Sequence, residues 1–286
     1  DADGDTSEAT ITINLSDTEK PVASATAAMV DDDGLPLGNE DSPVAGDESA
    51  ADSDSFSGTL NFTKGGDIPV TVSIAAMALA PGNTDTVGTE LVTYEWEEAA
   101  STLSARITGG DRDNTILFAV KITDANNGDY TVNLLQNVLH ADADGENNAT
   151  ATINYVVTDD DGSTDDANLT ITFDDDTPVA VDETAVAAEE AGANVGGNVL
   201  TNDNQGADRA VEVTGISSNY ESAVGTVGSD LAGEFGSLTI SANGAWTYEP
   251  NDVVDNDPAA QDVFTYTITD ADGDTSEATI TINLSD

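Results

Sequence analysis

Residues 1–17 read DADGDTSEATITINLSD, and residues 270–286 repeat them without a single change. A spacing of 269 residues is too long for one solenoid unit and fits one or two ordinary domains that recur in an array. Inside the repeat, Ile11, Ile13 and Leu15 alternate with Thr10, Thr12 and Asn14. Such alternation puts apolar side chains on one face of a strand and hydroxyls on the other. The pattern returns at Leu169, Ile171 and Phe173, and again at Phe264, Tyr266 and Ile268, each interleaved with Thr. The expected class is therefore all-β, with half-buried antiparallel strands packed as sandwiches. No stretch keeps a helical period. The nearest, Ala185–Ala193, runs into Gly192 and predicts at most one helical turn. Asp33-Gly34, Asp161-Gly162, Asn243-Gly244 and Asp272-Gly273 tolerate positive φ and predict tight turns.

The closing hairpin of the repeat also occurs in a diverged form at residues 155–178, YVVTDDDGSTDDANLTITFDDDTP. Two copies lead within a few residues into Pro-Val-Ala, at Pro21 and Pro178. Each hairpin thus closes one domain and each Pro-Val-Ala opens the next. The predicted map is 1–17 as the last strand of a preceding repeat, 18–176 as a larger sandwich, and 177–286 as a second, Ig-like sandwich. Residues 1–17, parted from their own sheet, are expected to be poorly ordered, to pair with an exposed edge, or to swap into the slot of residues 276–284.

The chain carries 56 acidic against 6 basic residues, a formal charge of −50. Self-repulsion on that scale opposes compaction unless cations offset it. It also excludes nucleic acid and anionic membrane surfaces as partners, since both need basic patches. Hydrophobic residues make up 38% of the chain, enough to bury a core, so wholesale disorder is not expected. There is no cysteine, so disulfides, which secreted chains commonly use, do not hold it together, and metal ions are the alternative staple. No apolar run approaches the ~20 residues of a membrane-spanning helix, and residues 1–17 do not resemble a signal peptide.

The acids cluster in turns and linkers, whereas salt adaptation would spread them over outward strand faces, which here are Thr, Ser and Asn. The candidate metal ligands are Asp1, Asp3 and Asp5; Asp31 and Asp33; Asp142 and Asp144; Asp159 and Asp161; Asp174 and Asp176; and Asp270, Asp272 and Asp274. Bare carboxylates ~4–5 Å apart repel by about 1 to 4 kcal/mol per pair. A hard cation with about six to eight oxygen ligands turns that repulsion into binding, which points to Ca2+ over the smaller, more strictly octahedral Mg2+. The loops are not EF-hands: counting from Asp270, the glycine falls at the fourth position and the twelfth is Thr281. Any single D-x-D-G also reads as a plain hairpin turn. At the joint, Asp174–Asp176 could share a cation with Glu183 or Asp203 and stiffen a short linker. The competing reading is a solvated acidic linker extended by self-repulsion.

Catalysis finds little support. The one histidine, His140, reads as a structural residue beside an acidic turn, and carboxylate pairs are too plentiful to discriminate a glycosidase. Glu95, Glu97 and Glu98 flank Trp96, which could form a sugar platform, but alternation with Tyr94 reads more simply as one aromatic strand face. Trp246 and Tyr248 read as core.

The segment GSLTISANGAWTYEPN from Gly236, followed by DVFTYTITDADGDTSEATITI, resembles the cadherin-like or VCBS-type repeats of large bacterial RTX adhesins. The residues that carry the resemblance are Leu238, Ile240, Asn243-Gly244, Trp246, Tyr248, Pro250 and the Tyr266 strand with its acidic turn. NVLTNDNQGAD, residues 198–208, resembles the early acidic loop of those modules. In the larger domain DDDGL at 31–35, YTVNLLQNVLH at 130–140, ADADGEN at 141–147 and the hairpin at 155–173 resemble the long repeat of type I-secreted adhesins, while 64–115 holds no recognised motif. The resemblance implies an extracellular, cell-surface, Ca2+-binding extender used in attachment or biofilm formation, with neighbouring repeats as partners. An alternative places a glycan- or peptide-binding module in 18–176.

Overall fold

The computed structural model describes residues 3, 6–13, 19–36, 38, 53–74, 84–140, 148–188, 193–208, 211–251 and 260–285. These residues are all-β with three short 3-10 turns, arranged as two sandwiches in series with separate apolar cores. In the first, a six-stranded sheet ordered Ser55–Thr59, Asp129–Leu134, Ile116–Asp124, Thr102–Ile107, Glu90–Glu97, Thr84–Val87 faces a four-stranded sheet ordered Thr26–Asp31, Thr164–Asp174, Ala149–Thr158, Thr71–Ile74. Phe118 of one sheet meets Phe173 of the other with ring centroids 5.0 Å apart. The stretch 64–115, which carried no motif, thus supplies strands to both sheets. Tyr94 is buried and Trp96 half-buried against that core, the single aromatic face that alternation implied.

In the second sandwich the order Glu183–Ala188, Thr275–Ser285, Gln261–Thr269, Glu212–Ser218, Ala223–Val224 faces Val195–Asn198, Ala245–Pro250, Gly236–Ile240, Leu231–Ala232. Trp246 and Tyr248 belong to its core, Tyr248 edge-on to Phe264 at 6.2 Å. A buried carboxylate locks the lower loops. Asp262 accepts from the amides of Glu234 (2.7 Å) and Phe235 (3.1 Å) and from the Tyr248 hydroxyl (2.7 Å). Asp262→Ala strands all three donors in a dry site at about 1–3 kcal/mol each when unrelieved. We expect a loss of about 3 kcal/mol or more in urea denaturation of the chain, and a loss below 1 kcal/mol would show the loops relax to water.

Three local expectations change. Ala185–Ala188 is not helical but part of the Glu183–Ala188 strand, paired in parallel with Ile280–Ser285, because the sheet edge satisfies its backbone over six residues; residues 189–192 lie outside the described residues. The strands are not uniformly antiparallel, since Thr26–Asp31 also runs parallel to Leu169–Asp174. Asp33-Gly34 closes a 3-10 turn, Asp32–Gly34, and not a hairpin: Asp31 caps it by accepting from the Asp33 amide at 2.9 Å. The other three pairs do turn hairpins, with Gly162, Gly244 and Gly273 all at positive φ.

The two copies of the repeat differ in surroundings. Ile280 and Ile282 are 0% exposed between the Glu183–Ala188 and Gln261–Thr269 strands. Their twins Ile11 and Ile13 are 85% and 76% exposed, and residues 6–13 form no strand. Identical side chains reach opposite fates because only one copy has sheet partners here. Burial is a property of the neighbours.

Candidate metal centre

The sandwiches meet at a knot of buried acids. The Thr164–Asp174 strand ends in Asp174–Asp176, and all three are at least nine-tenths buried although they form the link between the cores. The 3-10 turn after the parallel Thr26–Asp31 strand brings Asp32 to the same end, where its Oδ2 accepts from the Val138 amide at 2.7 Å. From the second sandwich come the loop Gly206–Asp208 and the hairpin turn Asp270–Asp274. Gly206 has φ +70, and a Cβ there would sit 3.2 Å from Asp176 Oδ2, so the glycine lets the loop close on the linker carboxylate. The Ala207 amide then donates to that oxygen at 2.5 Å.

Asp208, Asp270 and Asp272 present ligand oxygens within 4.8 Å of one another. Asn137 of the first sandwich donates to Asp208 Oδ1 at 2.5 Å, and Arg112 holds the Asn137 carbonyl at 2.6 Å. The His140 amide donates to Asp272 Oδ2 at 3.0 Å, and His140 Nδ1 lies 2.8 Å from Asp175 Oδ1. Asp270 Oδ1 accepts from the amides of Gly273 (3.0 Å) and Asp274 (2.8 Å), which fixes the turn.

The remaining oxygens are the informative ones. Asp32 Oδ1, Asp175 Oδ2, Asp208 Oδ2, Asp270 Oδ2 and Asp272 Oδ1 are buried and make no hydrogen bond. Leaving one such charged atom dry and unpaired is costly, and here five lie at one junction. The electrostatics record the strain. Asp208 is pushed up to about 8 by burial and then by the charge of Asp272, and Asp270 to about 8 by burial and its contact with Asp272. Asp32 is raised well above the ordinary aspartate value by burial and the charge of Asp208. Burial alone would lower His140, but contact with Asp175 and the charges of Asp175, Asp208 and Asp272 reverse this and raise it. An all-oxygen set of orphaned carboxylates fits a hard divalent cation, with Asp208, Asp270 and Asp272 as the residues that would hold it and Asp32 of the first sandwich near enough to feel the charge of Asp208.

The positions picked from sequence fall in four groups. Asp174, Asp176, Asp270, Asp272 and Asp274, with Asp31 and Asp33, lie at this junction, all but Asp272 in the most buried class. Asp159 and Asp161 occupy the hairpin turn between Ala149–Thr158 and Thr164–Asp174, Asp159 buried and Asp161 exposed. There they bind the Ser163 amide at 2.7 and 3.0 Å. Glu183 and Asp203 lie by Tyr266: Asp203 Oδ1 is 2.8 Å from its hydroxyl and accepts from the Val181 amide at 2.7 Å. Burial, then the neighbouring Asp203 charge, raises Glu183. The linker carboxylate Asp176 meets the Gly206–Asp208 loop, and Asp175 lies near enough to raise Asp208 by its charge. Asp3 is exposed, and Asp1, Asp5, Asp142 and Asp144 lie outside the described residues. Sequence reading took Asp32 and Asp175 only as members of the 31–33 and 174–176 acid runs, and it missed Asp208 as a ligand and the contribution of His140. The signals for Asp208 were its place at the end of the acidic loop 198–208 and the glycine two residues before it.

Residues 175–286 match the family model described as the bacterial cadherin-like domain, so the match begins on the junction acids and runs through the second sandwich. Over 141 residues the chain is 30% identical to the calcium-binding lectin RapA2 of Rhizobium johnstonii, an alignment over 46% of this chain and 58% of that protein. The chain thus spans less than two thirds of that relative. Solved structures similar to it include the cadherin-like domains 1 to 4 of zebrafish RET (TM-score 0.29, 11% identity, 93% of this chain and 52% of that one). Drosophila N-cadherin EC1-4 is another (TM-score 0.28, 13% identity, 93% and 50%). Among the described residues no helix is long and apolar enough to cross a membrane.

Proposed function

We propose that this chain is a Ca2+-stiffened extender segment of an extracellular, cell-surface adhesin, used in attachment or biofilm formation, with divisions at Thr18 and Thr177 and neighbouring repeats as its partners. The observation that supports it most is the junction: five buried carboxylates from both sandwiches hold oxygens with no hydrogen bond. An ion there ties the two bodies by ligands from each side and replaces mutual repulsion by attraction. The cadherin-like match and a calcium-binding relative support the same reading. It assigns no catalytic role.

The test is a distance distribution between spin labels, one on each sandwich, at Thr131 and Thr239. Millimolar Ca2+ is expected to give one narrow distance and chelator a broad distribution. Equal widths in both would overturn the stiffening. A second reading, a glycan- or peptide-binding module in 18–176, draws on the lectin name of the relative. A glycan array probed with the calcium-loaded chain tests it, and binding that survives deletion of no part of 18–176 would support it.

A further inference from the structure

Beside the oxygen cluster lies a second group with a different donor. His140, the chain's one histidine, sits with Asp175 and Asp272, their ligand atoms within 4.8 Å of one another. We propose that His140, Asp175 and Asp272 form a second cation site, for a borderline transition ion such as Zn2+, adjoining the calcium site and joined to it through Asp272. The proposal rests on the calcium reading only for Asp272, whose two oxygens would serve both ions.

The donor chemistry comes first. Calcium takes oxygens, whereas one imidazole nitrogen with two carboxylates is a set suited to zinc and its neighbours. The second point is the state of the ring. His140 is 2% exposed, and although Nδ1 lies 2.8 Å from Asp175 Oδ1, neither ring nitrogen makes a hydrogen bond of sound geometry. A buried imidazole ordinarily donates at least one N–H. Asp175 is 1% exposed, and its Oδ2 also has no partner.

Spacing agrees. Bonds of about 2.0–2.1 Å at tetrahedral angles set ligand atoms about 3.3 Å apart. The Nδ1 distances of 2.8 Å to Asp175 and 3.9 Å to Asp272 bracket that value. The histidine is also held in place. Thr89 donates to the Leu139 carbonyl through its amide (2.8 Å) and its hydroxyl (3.1 Å). Gly88 permits the approach, because a Cβ there would lie 2.1 Å from the same carbonyl. The competing role is that of an imidazolium counter-ion to Asp175, which requires the ring to keep both protons.

Nitrogen NMR of the full chain labelled with 15N-histidine decides between them, since a single histidine gives one pair of ring signals. In millimolar Ca2+, added Zn2+ is expected to move Nδ1 from a protonated to a metal-bound position, saturating near one equivalent. Asp175→Asn is expected to abolish the move. In calorimetry His140→Gln should lose the zinc heat while keeping the calcium-dependent rise in melting temperature. Ring signals that stay those of an imidazolium through several equivalents of Zn2+, or a zinc heat unchanged in His140→Gln, would overturn the site. A melting temperature indifferent to calcium would instead sink the neighbouring calcium reading, and the ring signals would still report on zinc.

Discussion

Asp208→Asn is expected to act with opposite sign in calcium and in chelator. The residue is 4% exposed, lies within 4.8 Å of the Asp270 and Asp272 ligand oxygens, and leaves Oδ2 without a hydrogen bond. In chelator at pH 9, above the raised Asp208 value of about 8, the amide removes one of several crowded negative charges and keeps an oxygen for Asn137, so the melting temperature rises by a few degrees. In millimolar Ca2+, the same change removes a charged ligand. A tenfold loss of affinity corresponds to about 1.4 kcal/mol. At saturating ion that loss carries over to stability, and about 1 kcal/mol shifts the melting temperature of a domain this large by roughly 2–4 °C. The variant should therefore melt several degrees below the parent in calcium and above it in chelator. Calorimetry in the two buffers reads the crossover; a shift of one sign in both would reduce Asp208 to a packing residue.

Without calcium, stability is expected to fall as pH rises from about 4 to 8. Burial holds Asp208 and Asp270 at about 8 in the folded chain, far above an unfolded aspartate. A group whose folded pKa is raised stabilises the fold when protonated, so its contribution is complete below about 4 and is lost as pH passes through about 8. Asp32 and His140, both raised, act in the same direction. Urea midpoints in chelator should therefore be higher at pH 5 than at pH 8.5, while millimolar Ca2+ flattens the profile by holding the carboxylates ionised. A calcium-free chain more stable at pH 8.5 would contradict the crowding of charge described here.

Much of this was readable from residues because it is local. Alternation gave the Thr164–Asp174 and Gln261–Thr269 strands and their inward Phe173 and Tyr266, since side-chain direction in a strand has period two. Asp-Gly at 161–162 and 272–273 turned hairpins because positive φ is cheap there. What escaped was everything set by docking. Asp175 lies between two aspartates that were chosen, and nothing in a run of three identical residues says which oxygens will find amides and which will be left bare. Asp208 and Asp203 belong to one acidic loop, yet Tyr266 claims Asp203 while Gly206 turns Asp208 to the linker. Residues 185–193 were the nearest to a helical turn, and at Ala185–Ala188 the edge of a neighbouring strand decided for extended chain.

The parallel pairing of first and last strands bears on how such a segment takes tension. In the second sandwich Glu183–Ala188 runs beside Ile280–Ser285, and in the first Thr26–Asp31 runs beside Leu169–Asp174. A pull that enters at the start of one member and leaves at the end of the other slides the pair lengthwise. All rungs of that ladder are then strained together, whereas a hairpin pulled from its open end parts one rung at a time. Each sandwich is thus wired for shear, and the junction carboxylates sit where the shear line of one sandwich passes into the next.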